Sequence, residues 1–321
     1  MKATAVAHPI QGLIKYHGLK NARLRIPYHD SISVCVDALQ TTTTVEATNS
    51  LRENLVIING KKAVGTQLER VEVVLNKLKN VTDYSGHFKV ISRNSITNGK
   101  GLGFSASGFA ALGTAACAAL DFDIDYVSLS ELARLGAGSA TRSLAGSFAV
   151  WYADKDGKSF AEQIVEPENV DLGMVIAPVP SSVRTDEAHS EVLSSPLFKA
   201  RLKYVTKIIR MMKNAIKTGD VATMGRLAEG DSLNLHAVTM TGKTRMVLWE
   251  PETVRIIKGV QKMRREGIPA WYSMDTGPSV FVNTFTEYVE KVADRLRELG
   301  CSSIITSKVG GKPFLSSKHL F

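Results

Sequence analysis

Three stretches of this chain, and one lysine, combine residue types that can do chemistry. Gly101-Leu-Gly-Phe-Ser-Ala-Ser-Gly108 packs three glycines and two serines into eight residues ahead of an alanine-rich run. Glycine lets a backbone approach a ligand closely, and the unpaired N–H groups of a helix start attract an anion. The stretch is a candidate phosphate cradle, with Gly101, Gly103, Ser105, Ser107 and Gly108 as its contacts. It fits neither the Walker pattern nor the strand-flanked dinucleotide fingerprint, and close packing or helix capping would use the same residues. Gly136-Ala-Gly-Ser-Ala-Thr-Arg-Ser143 is a second small-residue loop, carrying Arg142. Its guanidinium fork suits a carboxylate or phosphate, in a ligand or in a structural salt bridge. Late in the chain, Met274-Asp-Thr-Gly-Pro278 sets Asp275 in a tight turn, as turn former or as base. Lys15 lies in the apolar run Leu13-Ile-Lys-Tyr16, where burial demands an anionic partner.

These stretches need elements to hold them. Residues 109–120 carry no charge and no proline and read as a buried helix. Leu68, Val71, Leu75 and Leu78 keep helical spacing. Residues 2–9 and 31–37 alternate or run apolar as strands do, with further strands at 41–45, 55–58, 87–91, 148–152 and 172–177. Asn59-Gly60 signals a turn, and Ser128 with Glu131 three residues on reads as a capping box. Residues 15–31 are dense in polar and ring-bearing groups and too irregular for a helix. The texture changes around Pro178-Val-Pro180, which suggests a domain boundary near 178, dividing 1–178 from 179–321. Beyond it, 181–195 reads as a polar surface loop. Ser195-Pro196 starts a helix ending near Gly219, with more helix to about 235 and over 252–266. Strands at 270–274, 280–282 and 303–306 and a helix at 287–299 complete the chain. Helices on mainly antiparallel sheet, an α+β class, fit this order better than a parallel array.

Bulk composition narrows the function classes. With 321 residues, 44% hydrophobic and 22% charged, the chain reads as a soluble globular protein of one large domain or two ordinary ones. No apolar run approaches membrane-span length and no signal-peptide core is evident, which points to the cytoplasm. Cys35, Cys117 and Cys301 are odd in number and far apart, as reduced thiols are. A net charge of +9 attracts anions, either nucleic acid or phosphorylated metabolites. Lys203, Lys207, Arg210 and Lys213 lie opposite Leu202, Val205, Ile209 and Met212, as the solvated side of an amphipathic helix. No basic block with interleaved aromatics appears, so no nucleic-acid partner is expected. The seven histidines show no zinc spacing.

Taken in order, Lys15-Tyr-His-Gly18 with Pro27 and Ser31-Ile-Ser33, the Gly101–Gly108 loop before Phe-Ala-Ala-Leu112, the Gly136–Ser143 loop before Trp151, and Met274–Pro278 form a combined pattern. It resembles the GHMP small-molecule kinases and, among them, the mevalonate diphosphate decarboxylases. Asp231-Ser-Leu-Asn-Leu-His-Ala237 and Val309-Gly-Gly-Lys-Pro313 look similar to that family too, so the resemblance spans nearly the whole chain. It implies a GHMP kinase fold of two α/β-sandwich domains. The N-terminal, ATP-binding one shares its fold with a ribosomal protein domain; the C-terminal one is ferredoxin-like. It also implies ATP and Mg2+ as cofactors and a homodimer.

By the same resemblance, Asp275 orients or deprotonates a tertiary hydroxyl. Lys15 holds that carboxylate ionised and screens developing charge, and Arg142 grips the substrate carboxylate. Gly101, Gly103, Ser105, Ser107 and Gly108 hold ATP phosphates, Ser105 also the magnesium. Ser139 helps hold the substrate phosphate, Tyr16, His17, His29 and Asp30 are weaker candidates for the pocket wall, with His17 as a donor to the 5-phosphate, and His189 is a candidate for an extra phosphate contact. Two departures sharpen the expectation. The family's second lysine falls on Leu19, and the first serine of the arginine-bearing loop falls on Ala137. Both positions help hold a diphosphate in the family, so their loss suggests one phosphate fewer, that is mevalonate 5-phosphate. The N-terminal wording looks most like the phosphomevalonate decarboxylases, which make isopentenyl phosphate. The alternatives are the diphosphate substrate, a kinase that stops before decarboxylation, a nucleic-acid binder and an inactive metabolite sensor.

Overall fold

The molecule, a computed structural model, describes residues 1–96, 101–180 and 185–321. A six-stranded sheet runs in the order Phe314–Ser316, Lys2–Ala7, Thr41–Thr48, His87–Asn94, Leu55–Ile58, Lys61–Lys62. Its central strand is the β-branched run that starts at Thr41, and hydroxyl pairs such as Thr4–Thr44 (2.7 Å) and Thr43–Ser92 (2.9 Å) cross the ladder. Among the described strand pairs, Leu55–Ile58 beside His87–Asn94 is parallel and the rest are antiparallel. Asn59 and Gly60 turn that sheet's last hairpin at φ 51° and 78°, the backbone that an Asn-Gly pair favours.

The alanine-rich helix Phe104–Ala119 lies across this sheet. Ala106, Ala110, Ala111, Ala115 and Ala116 are all fully buried. Small side chains all round let the helix sit close to the strands, with helices Gly65–Thr82 and Tyr126–Gly136 packed beside it. It starts at Phe104, earlier than expected, so the whole serine-bearing stretch is its first turns. Helix Tyr126–Gly136 is capped by Asp125, which accepts from the Ser128 amide at 3.0 Å, rather than by Ser128. An aspartate three residues ahead outcompetes the serine, whose hydroxyl bonds the same carboxylate at 2.5 Å.

A second sheet orders Ala161–Val165, Phe148–Trp151, Ser31–Cys35 and Ile10–Ile14. A third orders Trp271–Met274, Val280–Thr284, Gly173–Ala177 and Ile305–Ser307, with helices Pro251–Arg265 and Val289–Glu298 packed on it. Helices Phe198–Lys217 and Val221–Met240 share a core with both of these sheets, through Leu13, Ile32, Val205, Met212, Met224, Trp271 and Phe281. Helix Val221–Met240 thus touches the end of strand Ile10–Ile14 and strand Trp271–Met274. On the polar stretch after 180, residues 181–184 lie outside the described set. The rest is not the expected loop: it forms helix Thr185–Glu191 and a short turn Val192–Ser194, because Ala188, His189 and Val192 are buried.

Candidate active site

One cavity of about 1050 Å³ collects most of the expected residues. Lys15, Tyr16, Gly101, Gly103, Ser105, Gly108, Ala137, Ser139, Arg142, His189 and Asp275 line it. Sequence separations of well over a hundred residues close here. Lys15 follows strand Ile10–Ile14, and Asp275 follows strand Trp271–Met274 in the other sheet.

Asp275 accepts the Gly12 amide on Oδ1 at 2.9 Å. Glycine at position 12 leaves room for that approach, since a Cβ there would stand 2.7 Å from Asp275 Oδ1 and 2.7 Å from Lys15 Cγ and would push one of these side chains aside. Burial pushes the Asp275 carboxyl above the usual 3.8, while Lys15, the Gly12 amide and Arg142 hold it down. His236 donates from Nε2 to the Asp275 carbonyl at 3.0 Å, and burial keeps that ring neutral, its pKa lowered to about 3.

Lys15 is held more tightly than its sequence setting suggested. Its ammonium donates to Ser232 Oγ at 2.7 Å and Ser273 Oγ at 2.8 Å, with Asp231 Oδ2 at 3.8 Å. Burial lowers its pKa to about 8, against the attraction of Asp231 and Asp275. The Lys15 amide donates to Asp231 Oδ2 at 2.8 Å, and Arg201 donates to the Lys15 carbonyl at 2.7 Å. Arg201 and Asp231, both fully buried, lie 3.2 Å apart. Arg201, Asp231, Ser232, His236 and Ser273 were given no role from the sequence. A signal existed: Asp231, Ser232, His236 and Thr239 are polar residues on the buried face of one helix.

Arg142 is 3% exposed, and its Nε and Nη1 have no hydrogen-bond partner. Its guanidinium stands 5.4 Å from the Tyr16 ring centroid and 5.8 Å from that of Trp151. Burial lowers its pKa to about 10, still cationic at neutral pH. A buried, under-bonded guanidinium facing a cavity is an anion site. Tyr16 stacks on His189 at 4.7 Å, and the Gly18 amide donates to His189 Nδ1 at 3.3 Å.

The glycine stretch contributes unevenly. Gly103, at φ 76°, precedes the helix and has no side chain to cap it, and a Cβ there would lie 2.8 Å from the Ile10 carbonyl. Ser105 is exposed and lines the cavity. Ser107 does not line it: two residues round the helix, it is fully buried and bonds Thr41 Oγ1 at 2.7 Å. His17 is likewise absent from the lining, its fully buried ring turned to Thr239 Oγ1 at 3.2 Å. His29 Nδ1 lies 2.7 Å from the Asp30 carbonyl and Asp30 accepts from the Ala153 amide at 2.9 Å, both as local structure. Val56, Ile58, Val64, Val71, Val90 and Leu112 give the glycine-led end of the cavity an apolar wall. The described residues hold no cluster of three metal-ligating side chains. No helix among them is long and apolar enough to cross a membrane.

Comparisons with known proteins agree with this architecture. Residues 7–161 match the diphosphomevalonate decarboxylase-like N-terminal domain, and 181–316 the mevalonate 5-diphosphate decarboxylase C-terminal domain. The phosphomevalonate decarboxylase of Haloferax volcanii is 38% identical over 97% of this chain and 96% of its own length. The crystal structure of mevalonate diphosphate decarboxylase from Staphylococcus aureus superposes with a TM-score of 0.93, at 28% identity over 98% of both chains. A structure described as MDDEF in complex with MVAPP, AMPPCP and magnesium gives 0.92, at 30% identity over 99% of both chains. The fold is therefore that of the GHMP kinases. The cavity that Lys15 and Asp275 both line, its buried arginine and these similarities over nearly the full length lead to one conclusion: the chain belongs to the mevalonate diphosphate decarboxylase family.

Proposed function

We propose that this protein decarboxylates mevalonate 5-phosphate at the expense of ATP, releasing isopentenyl phosphate, ADP, phosphate and carbon dioxide. The observation that carries the reading is Arg142, a buried guanidinium with under-bonded nitrogens in the same cavity as Asp275 and an uncapped helix start. Arg142 holds the substrate carboxylate. Asp275 takes the proton of the 3-hydroxyl, whose oxygen attacks the terminal phosphorus of ATP, and ADP leaves. The substrate's own C–O bond at that oxygen then breaks, phosphate leaving with its electrons, as the carbon–carbon bond to the carboxylate gives up its pair. That electron pair forms the carbon–carbon double bond, and carbon dioxide departs. Lys15 screens charge beside Asp275 throughout. Tyr16, Ser139 and His189 face the substrate's phosphate end. Gly101, Gly103, Ser105 and Gly108 with the first helical amides receive the ATP phosphates. The Ser105 hydroxyl would hold the magnesium that comes with the nucleotide, which would offset phosphate charge.

The monophosphate is favoured by Ala137 in the lining, by the absence of Leu19 from it, and by the similarity to the Haloferax volcanii protein. The diphosphate is the second reading, favoured by the ligand-bound neighbour. The division into 1–178 and 179–321 belongs to the same proposal, and the two family models fall on either side of it. So does a cytoplasmic location, with three buried free thiols as support, and so does a homodimer. Dispersed basic charge favours small anionic substrates over nucleic acid. An ADP-release assay with mevalonate and its 5-phosphate and 5-diphosphate, with carbon dioxide trapped and products weighed by mass spectrometry, tests the reading. Turnover of the monophosphate to isopentenyl phosphate is expected. Turnover confined to the diphosphate would overturn the substrate, and ADP without carbon dioxide would make the protein a kinase.

A further inference from the structure

The geometry points to Arg25 as a specificity-determining contact for the phosphate end of the substrate. This rests on the reading above, and it concerns a residue to which neither the motifs nor the family pattern gave a role. Arg25 stands in the short hairpin of Leu19–Asn21 and Ile26–Pro27. Its backbone is left-handed at φ 50°, a costly setting for a residue with a side chain. The Arg25 amide donates to the Ala22 carbonyl at 3.3 Å, and its Nε donates to the Leu135 carbonyl at 3.1 Å. The residue lines the cavity.

Leu135 leads directly into Gly136, Ala137, Gly138 and Ser139, the cavity corner assigned to the substrate. Arg70 donates from Nε to the next carbonyl, Gly136, at 2.7 Å. Two guanidiniums are thus anchored on consecutive carbonyls just ahead of Ala137, itself 3% exposed and in the lining. Their neighbours divide their tasks. Arg70 sits over the Phe109 ring at 5.1 Å, beside the apolar wall of the glycine-led end. Arg25 comes from the segment that also carries Tyr16, whose hydroxyl lies 3.3 Å from where a Cβ on Gly138 would stand. Leu19, in the same hairpin, pairs with Pro27 and stays out of the lining. The hairpin therefore brings positive charge to this corner through Arg25 and not through position 19. The bond to Leu135 fixes the plane of the guanidinium, and a planar fork is suited to phosphate oxygens. The bland alternative is a cation that only caps the C-terminus of helix Tyr126–Gly136.

The test compares the wild type with Arg25→Gln and Arg25→Lys, both unbranched at Cβ and so alike in backbone cost. KM is measured for mevalonate, for mevalonate 5-phosphate and for ATP, along with Tm. For Arg25→Gln, KM for the phosphate-bearing substrate is expected to rise about tenfold or more. KM for unphosphorylated mevalonate and for ATP should move far less, and Arg25→Lys should fall between. Equal weakening of mevalonate and its phosphate, or a lowered Tm without selective weakening, would leave only the helix-capping role and overturn the inference. If the wild type uses the diphosphate alone, the substrate reading fails, and the same ratio with diphosphate over mevalonate judges Arg25. A wild type with no preference for a phosphorylated substrate overturns both.

Discussion

Asp275 and Lys15 are each pushed by burial toward their neutral forms. The Asp275 carboxyl sits above 3.8, and Lys15 is brought down to about 8. Catalysis as drawn needs Asp275 ionised and Lys15 protonated. Activity should fall as pH drops through the raised Asp275 value, and fall again as pH rises through about 8. The groups around Lys15 are Asp231, Asp275, Arg201 and neutral His236, so the alkaline limb reports this ammonium. A kcat/KM profile that stays flat from pH 7 to 10 would contradict it, since the limb falls near 8. Asp275→Asn keeps shape and loses the base, so kcat should drop at least ~100-fold with Tm near wild type. Arg142→Lys should harm KM and kcat together, because an ammonium cannot make two parallel hydrogen bonds to a carboxylate. Steady-state kinetics that match wild type would take either residue out of its role. At this scale the sequence was informative about identity but not direction. Ser105 and Ser107 look alike in the glycine stretch, as do Tyr16 and His17 as ring-bearing neighbours. In each pair one side chain lines the cavity and the other is buried in structure.

Among the elements, helix Val221–Met240 does most to place Lys15. It carries Asp231 against the Lys15 amide and Ser232 against its ammonium, while Arg201 from helix Phe198–Lys217 closes on the Lys15 carbonyl. Removing Asp231 leaves the guanidinium of Arg201 buried without its carboxylate, which costs about 3–5 kcal/mol. Asp231→Ala should lower the denaturant midpoint accordingly, and Asp231→Asn, which retains an acceptor for the Lys15 amide, should cost less. Gly103 is the second pivot. Gly103→Ala adds a Cβ 2.8 Å from the Ile10 carbonyl in a left-handed backbone at φ 76°. The helix start should shift, raising KM for ATP and costing about 1–3 kcal/mol, both readable in one set of kinetic and unfolding measurements. The long helices were legible because apolar spacing is local, and Val205, Ile209 and Met212 are buried as that spacing requires. Arg201 escaped notice on the same helix because a charged residue on an apolar face is indistinguishable from a boundary residue until its partner on another helix is known. The edge strands were harder still. Leu19–Asn21 and Phe314–Ser316 are three residues each and owe their form to what they pair with.

Across the whole molecule, the far end of the chain closes the first sheet. Phe314–Ser316 pairs with Lys2–Ala7, Lys2 donates to the Phe321 carbonyl at 3.0 Å, and Lys89 lies 4.0 Å from the Phe321 ring centroid. Deleting residues 314–321 should lower Tm by a few degrees, at about 2–4 °C per kcal/mol, with kcat nearly unchanged because none of them lines the cavity. A differential scanning trace and a rate measurement on the shortened chain check both halves of that statement. From sequence alone came the glycine-led helix start, the lysine in an apolar run, the small-residue stretch that carries Arg142, the aspartate turn and the α+β class, although Arg142 itself stands in the short helix Ala140–Ala145 and not in the expected loop. All of these are written in neighbouring residues, through backbone freedom, periodicity and burial. Tertiary structure alone decided which side chains meet. His189 reaches Gly18 across 171 positions, Asp275 reaches Gly12 across 263, and Asp231 reaches Lys15 across 216. Those contacts depend on where two sheets and the helix between them cross, and a crossing is set by packing over the whole core, which no local stretch of residues encodes.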